Sequence, residues 1–486
     1  MFLCLSTSDE KWATRYLDSD ARFHGPFSLL MLLEKANEVV ISTMTYTVVL
    51  DSDTVQYYCS SHSHPVYKST ITMTSDIRRE KAQCHCGTAS VVVSFLSANP
   101  PIEHFLCHCN TCRHVEGQMA FYFLPIEGPP LFGGALFNAI AYKQGDVTSY
   151  RTSPNSVRYF CHNCSATVLR CDNETDWFVS GGSLCVDNKD EIARLAYHIN
   201  VADTLDGGMS NHIPSVDGKK LPRYAQCKGS DELHMNWRSE NLKSVEDAKK
   251  DTRLSGYCHC GNIQFEISRP NFLSATPHAP YPDLLYPRAQ TRLSTVRNSS
   301  DEKWWLYPPV VRNHHGNTST RPPLVHQDSV TRGTKYVAGY CLCDICRQSG
   351  GFEAQAWVWI PRSNLFERGS SKHIDFVDGP KRPKHLKQYL SSPGRFREFC
   401  DTCGATAFWW TTSRSDIIDI SIGLLDQNVD GVRAEEWLKW YQDRLSFIET
   451  AHEDQKSIVR GLKSGLRVYK EMKHEETPGA QGAQIN

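Results

Sequence analysis

Polar and apolar positions alternate along much of the chain. IQFEI (263–267) sets Ile263, Phe265 and Ile267 against two polar partners, and AWVWI (356–360) and DIIDISIG (416–423) are rich in β-branched and aromatic residues. A period of two, or a short apolar run, is the pattern of a strand, and VVV at 91–93 reads as a buried one. Three- and four-residue apolar spacing is confined to the C-terminal region, in RAEEWLKWYQDRLSFIE (433–449) and QKSIVRGLKSGLRVYKEM (455–472). The expectation is a mainly β protein with a short helical C-terminal tail.

The strand pattern recurs because the chain repeats itself. YRTSPNSVRYFCHNCSAT (150–167) aligns without a gap on YLSSPGRFREFCDTCGAT (389–406). Upstream, AQCHCGTASVVVSF (82–95) matches GYCHCGNIQFEISR (256–269), and HCNTCRHVEG (108–117) matches LCDICRQSGG (342–351). Three segments in one order make two copies of one domain. The expected organisation is an N-terminal extension (1–78), a first domain (79–227), a polar linker (228–253), a second domain (254–430) with an insertion at 271–335, and a helical or disordered tail (431–486). The insertion, rich in Pro, Asn, Ser and Arg, reads as a long surface loop with Trp304 and Trp305 docked on the domain.

Charge narrows the function. The 53 basic and 54 acidic residues nearly cancel, so no global field draws nucleic acid or an anionic membrane, and neither is expected as a partner. The basic run GPKRPKHLK (379–387) reads as a solvated loop. MFLCLSTSDEK lacks a basic n-region, and no apolar run approaches the roughly 18 residues that span a bilayer. A soluble protein of a reducing compartment, cytoplasm or nucleus, is expected. There, closely spaced cysteines are metal ligands more often than bridges.

Fourteen of the nineteen cysteines fall into the repeat. Each copy carries C-x-C, then C-x-C-x-x-C, then C-x-x-C: Cys84, Cys86, Cys107, Cys109, Cys112, Cys161 and Cys164 in copy one; Cys258, Cys260, Cys341, Cys343, Cys346, Cys400 and Cys403 in copy two. The outer pairs, with a C-x-C on a strand sending both thiolates to one face, make a closed four-cysteine shell, which is a structural zinc site. The central triplet is left with three ligands and an open position. Three thiolates leave the zinc site near a charge of about minus one, a poor generator of hydroxide but a suitable seat for another thiol. Four zinc ions per chain are expected, and a small thiol as substrate. Cys4, Cys59, Cys171, Cys185 and Cys227 lie outside the repeat and read as small buried apolar groups.

This seven-cysteine pattern, found twice, resembles the glutathione-dependent formaldehyde-activating enzymes, a zinc-binding family that also groups the CENP-V proteins; the tail of copy one also resembles that family, and the chain past 430 is similar to its fungal tandem-domain members. The resemblance implies two tandem zinc-stapled β-tent domains, a structural zinc on the outer four cysteines and a catalytic zinc on the central three. It implies a carbon–sulfur lyase chemistry joining glutathione to formaldehyde as S-(hydroxymethyl)glutathione. On that resemblance Cys107, Cys109, Cys112, Cys341, Cys343 and Cys346 are the catalytic set. Arg113 and Arg347, after each triplet, are either glutathione-carboxylate contacts or exposed surface arginines. His85 and His259 are expected to face away from the metal beside them. Ser165 stands where copy two has Gly404, so copy one is expected to be more strained or less active. The alternative is a non-catalytic zinc-stapled interaction scaffold.

Overall fold

The computed structural model describes residues 45–51, 54–60, 67–72, 77–96, 101–137, 146–291, 296–309, 330, 332–451 and 456–475. The chain divides into Met1–Ile77 and Arg78–Asn486. In the first unit, the strands Thr45–Asp51, Thr54–Ser60 and Tyr67–Thr72 form an antiparallel meander.

The second unit is mainly β and holds both copies. In copy two the sheet runs Leu306–Tyr307, Lys335–Cys341, Gln355–Pro361, Ile417–Ser421, Thr406–Thr411, Arg395–Cys400, Leu386–Ser392. Copy one repeats this order with Val147–Ser153, Ser156–Cys161, Thr167–Asp172, Asp176–Ser180 and Phe123–Pro125, and Ile102–Cys107 joins by a bridge from Cys107 to Phe121. Each copy adds one parallel strand on the far side, Ala193–Ile199 against Ile102–Cys107 and Leu438–Trp440 against Lys335–Cys341. The strands expected at 263–267, 356–360 and 416–423 are present as Gln264–Ser268, Gln355–Pro361 and Ile417–Ser421.

Val91 and Val93 are buried but Val92 is exposed, so VVV is a half-buried strand and not a buried one. The segment at 433–449 is not a helix. Ala434, Trp437, Leu438 and Trp440 are all buried, and Leu438–Trp440 is drawn into the parallel strand. Tertiary pairing overrides helical spacing there. The second tail segment is helical, Ser457–Glu475. Short helices at Asn110–Glu116 (α1) and Asp344–Gly350 (α2) were not expected from periodicity, since seven residues are too few to display it.

The insertion is not confined to the surface. Trp304 and Trp305 are buried, Trp305 Nε1 donates to the Ser274 carbonyl at 2.9 Å, and Leu284 and Ala279 join the core. In 379–387, Lys381 and Lys384 are exposed as expected of a loop, but Arg382 turns inward to pair with buried Glu398.

Candidate metal centres and the contact between the copies

The fourteen repeat cysteines gather into four clusters. Cys84, Cys86, Cys161 and Cys164 form one, Cys258, Cys260, Cys400 and Cys403 a second, and each triplet forms its own; within every cluster the sulfurs lie within 4.8 Å of one another. Sulfur pairs such as Cys86–Cys161 and Cys260–Cys400 stand 3.4 Å apart. That exceeds a disulfide bond of about 2.05 Å and approaches the edge of about 3.8 Å that a tetrahedron with Zn–S of about 2.3 Å has. Soft thiol donors at this spacing fit zinc, and all four clusters can hold a metal ion.

The outer C-x-C pairs do not lie on strands. The strands Ile77–Gln83 and Arg253–Tyr257 end just before Cys84 and Cys258, and each pair sits in the tight turn that follows. The turn itself aims both sulfurs inward: Ala89 N–H donates to Cys84 Sγ at 3.2 Å and Ile263 N–H to Cys258 Sγ at 3.3 Å.

Each triplet starts at the end of a strand and enters a helix. Cys107 and Cys341 close strands; Cys109 and Cys343 are the N-caps of α1 and α2, accepting from the Cys112 and Cys346 N–H at 3.3 and 3.4 Å. The cap satisfies a helix-end donor and fixes the sulfur at once. Cys112 and Cys346 are buried, while the other four triplet cysteines are half-buried residues.

A pair of arginines completes both sites. Arg158 Nη2 donates to Cys112 Sγ at 3.1 Å, and Arg397 Nη2 to Cys346 Sγ at 3.0 Å, both guanidinium groups being buried. The neighbouring Cys107 and Cys109 thiols, and then Arg158, hold the Cys112 thiol well below its ordinary range; Cys341, Cys343 and Arg397 do the same for Cys346. Sequence reasoning missed this pair, although the signal was present: Arg158 and Arg397 occupy the same position in the aligned segments.

Arg113 and Arg347 do something else. Arg113 is fully buried, donating to the His108 carbonyl at 3.2 Å and to Gln427 at 3.1 Å; Arg347 donates to the Gly182 carbonyl at 2.7 Å. Both tie a triplet helix to the other copy. Neither is an exposed surface arginine: Arg347 is committed to the Gly182 carbonyl and the Asp344 carboxylate, and Arg113 is buried with only its Nη1 unmatched among the described residues.

The two copies are related by an approximate two-fold exchange of such contacts. His85 shares a 2.7 Å hydrogen bond with the Tyr389 hydroxyl, and His259 one of the same length with Tyr150, the matching tyrosine. His259 N–H also donates to the carbonyl of His114, on α1, at 3.0 Å, and the His114 ring stacks on Tyr257 at 4.1 Å. Thus each histidine between two outer ligands reaches across to the opposite copy. Gly117 and Gly351 end α1 and α2 with φ of 72° and 65°, a left-handed cap, and a Cβ there would lie 2.1 Å from the Thr406 carbonyl oxygen and 2.7 Å from that of Thr167.

Ser165 does adopt a positive φ of 68°, matching 78° at Gly404. Its hydroxyl shares a 3.2 Å hydrogen bond with Thr406, which offsets part of the strain. Outside the repeat, Cys171 is buried as expected, whereas Cys185 and Cys227 are exposed; Cys4 and the side chain of Cys59 lie outside the described residues. A cavity of about 520 Å³ beside the outer cluster of copy two, lined by Gly261, Ile374, Leu386 and Phe408, includes no triplet cysteine.

A family model for the glutathione-dependent formaldehyde-activating enzyme matches residues 79–201 and again 329–443. Both copies belong to this family. The second match starts beyond most of the insertion and still takes in Cys341, Cys343, Cys346, Cys400 and Cys403. The family's description concerns glutathione and formaldehyde, which agrees with a site made of three thiols and an arginine. Comparison with curated proteins and with solved structures gives no match.

Proposed function

We propose that the chain is a zinc-dependent carbon–sulfur lyase-like enzyme that joins glutathione, or a similar small thiol, to formaldehyde or a small aldehyde, and catalyses the reverse. One observation carries this reading: besides its closed four-cysteine cluster each copy has a cluster of only three, with a buried arginine bonded to the third sulfur. A closed shell serves stability; three ligands leave room for substrate.

Zinc held by the triplet supplies a fourth position at which a soft thiolate is favoured over water. The chain's own residues set the conditions. Arg158 and Arg397 place a positive charge against the thiolates, which lessens the repulsion met by an incoming thiolate. The N-caps and the opposite copy fix the helices that carry the second and third ligands, so the site is held in advance of binding. In the forward direction the thiol loses its proton, its sulfur bonds the aldehyde carbon, and the carbonyl oxygen takes up a proton to give the hydroxymethyl thioether. The reverse breaks that carbon–sulfur bond.

The test is cobalt substitution followed by glutathione titration, with formaldehyde consumption measured on the zinc protein. New thiolate-to-cobalt absorption and a rate above the uncatalysed addition are expected. Unchanged bands in a folded, fully loaded protein would overturn the thiol reading and leave a zinc-stapled interaction scaffold.

A further inference from the structure

The two triplets share their thiols, their N-caps and their arginine, but not the charge around them. In copy one Glu116, the last residue of α1, is buried and pairs with Arg158. The matching position in copy two is Gly350. Arg397 is therefore a different group from Arg158, although both bond the third cysteine. It is 1 % exposed, and both its Nε and its Nη1 meet no acceptor among the described residues, whereas in Arg158 only Nε is unmatched because Glu116 takes Nη1.

A buried guanidinium with unmatched donors is expensive to keep unless an anion faces it. Around copy one's triplet Arg158 cancels Glu116 and the nearby Arg170 cancels Asp172, which leaves a zinc-loaded site at about minus one; around copy two's, Arg414 cancels Asp419 while Arg397 has no carboxylate partner among the described residues, which brings it to about zero. A thiolate ligand adds a negative charge, so the second site should accept it more readily.

A second difference lies just past the residues that pair in parallel with the strand ending at each triplet. His108 N–H donates to Ile199 O and Leu342 N–H to Ser446 O, both at 3.0 Å, so the next residues, Asn200 and Phe447, are counterparts, with φ of 53° and 59°. Asn200 Nδ2 donates to Cys107 Sγ at 3.2 Å, whereas Phe447 has no side-chain donor to offer. A neutral amide offsets less than a whole buried charge, so Glu116 decides the balance. Phe447 is instead held from below by the insertion, its N–H donating to Asp283 at 2.6 Å. Copy one has no such buttress, because it has no insertion.

We propose that the Cys341–Cys343–Cys346 site is the one that takes the anionic thiol, with Arg397 as the residue that positions its charge, and that the Cys107–Cys109–Cys112 site is attenuated by Glu116. This rests on the thiol reading above. It assigns the two copies different work: copy two binds substrate, and copy one holds copy two's elements in place.

The experiment uses the full chain, cobalt-loaded, with one triplet left intact at a time. Glutathione is titrated into Cys109→Ser, which keeps copy two's site, and into Cys343→Ser, which keeps copy one's. The dissociation constant should be about tenfold or more lower in Cys109→Ser. Adding Glu116→Gln to Cys343→Ser should tighten binding several-fold, since Gln keeps an acceptor for Arg158 and removes the charge. Adding Arg397→Met to Cys109→Ser should weaken it about tenfold with the melting transition retained, and Arg397→Lys should recover part of the loss, which a purely structural arginine would not show. Equal affinities in the two single-site proteins, or indifference to Glu116→Gln, would overturn the asymmetry and leave the thiol reading standing. Bands that ignore glutathione in both proteins would overturn both.

Discussion

A methyl group added to copy two should damage the site of copy one. Gly423 lies in the turn Ile422–Leu424, and a Cβ built on it would lie 2.2 Å from the Gln118 carbonyl oxygen and 2.4 Å from its carbonyl carbon and its nitrogen. Ordinary contact begins at 3.4 Å, so the gap must open by more than 1 Å. All three atoms are backbone, and Gln118 is further held by a 2.6 Å side-chain bond to Gln355. No rotamer change relieves the clash, and overpacking of this kind costs about 1–3 kcal/mol or more. The displacement enters copy one one residue beyond Gly117, the cap of the helix that begins at Cys109 and bears Cys112. In Gly423→Ala on the Cys343→Ser background we therefore expect a lower melting temperature together with altered cobalt bands of the remaining Cys107 triplet. Gly182→Ala, whose Cβ would sit 2.1 Å from Phe352 N, is the mirror experiment and should disturb the Cys341 triplet on the Cys109→Ser background. Unaltered copy-one bands in a destabilised Gly423→Ala protein would refute the argument that each copy positions the other's triplet.

The outer and central clusters should fail differently. Cys400→Ser opens a closed shell and should cost copy two its structural metal, with a loss of the order of several kcal/mol read as a large fall in melting temperature; Cys343→Ser should leave most of that transition in place and abolish thiol binding in copy two. Elemental analysis should give four zinc ions per chain, and a value near two would remove the metal from the triplets. Ser165→Gly relieves a positive φ but loses the bond to Thr406, two effects of about 1 kcal/mol each and opposite sign, so chemical denaturation should show little net change. His212, buried and bonded to the Tyr340 hydroxyl at 2.8 Å, is held down to about 3 by burial. An unfolded histidine titrates at about 6.5, so the stability this group contributes is full above that pH and lost as pH falls, by about 1.4 kcal/mol per unit. Denaturation curves between about pH 6 and 5 should be shallower in pH dependence by that slope in His212→Gln.

Much of this was legible in the chain because a repeat supplies its own comparison. Two aligned copies separate the fourteen cysteines that share a pattern from the five that do not, and ligand spacing then divides each seven into four and three, the grouping found in space. Period-two alternation at 263–267, and β-branched and aromatic runs at 356–360 and 416–423, located strands that have one face or both against the core. The family resemblance rested on the same residues.

What the sequence did not decide was long-range pairing. The spacing at 433–449 suits a helix, yet Tyr336, Val337 and Ala338 offer a strand edge that takes Leu438–Trp440, and buried Trp437 and Trp440 secure it. Arg113 and Arg347 look free beside their cysteines until the fold brings Gln427 and Gly182 to them from the opposite copy. His85 and His259 likewise find Tyr389 and Tyr150 more than a hundred residues away. The charge difference between the sites needed both levels: the alignment sets Glu116 against Gly350, but only burial turns that substitution into an uncancelled charge at Arg397, because in water the same carboxylate would be screened.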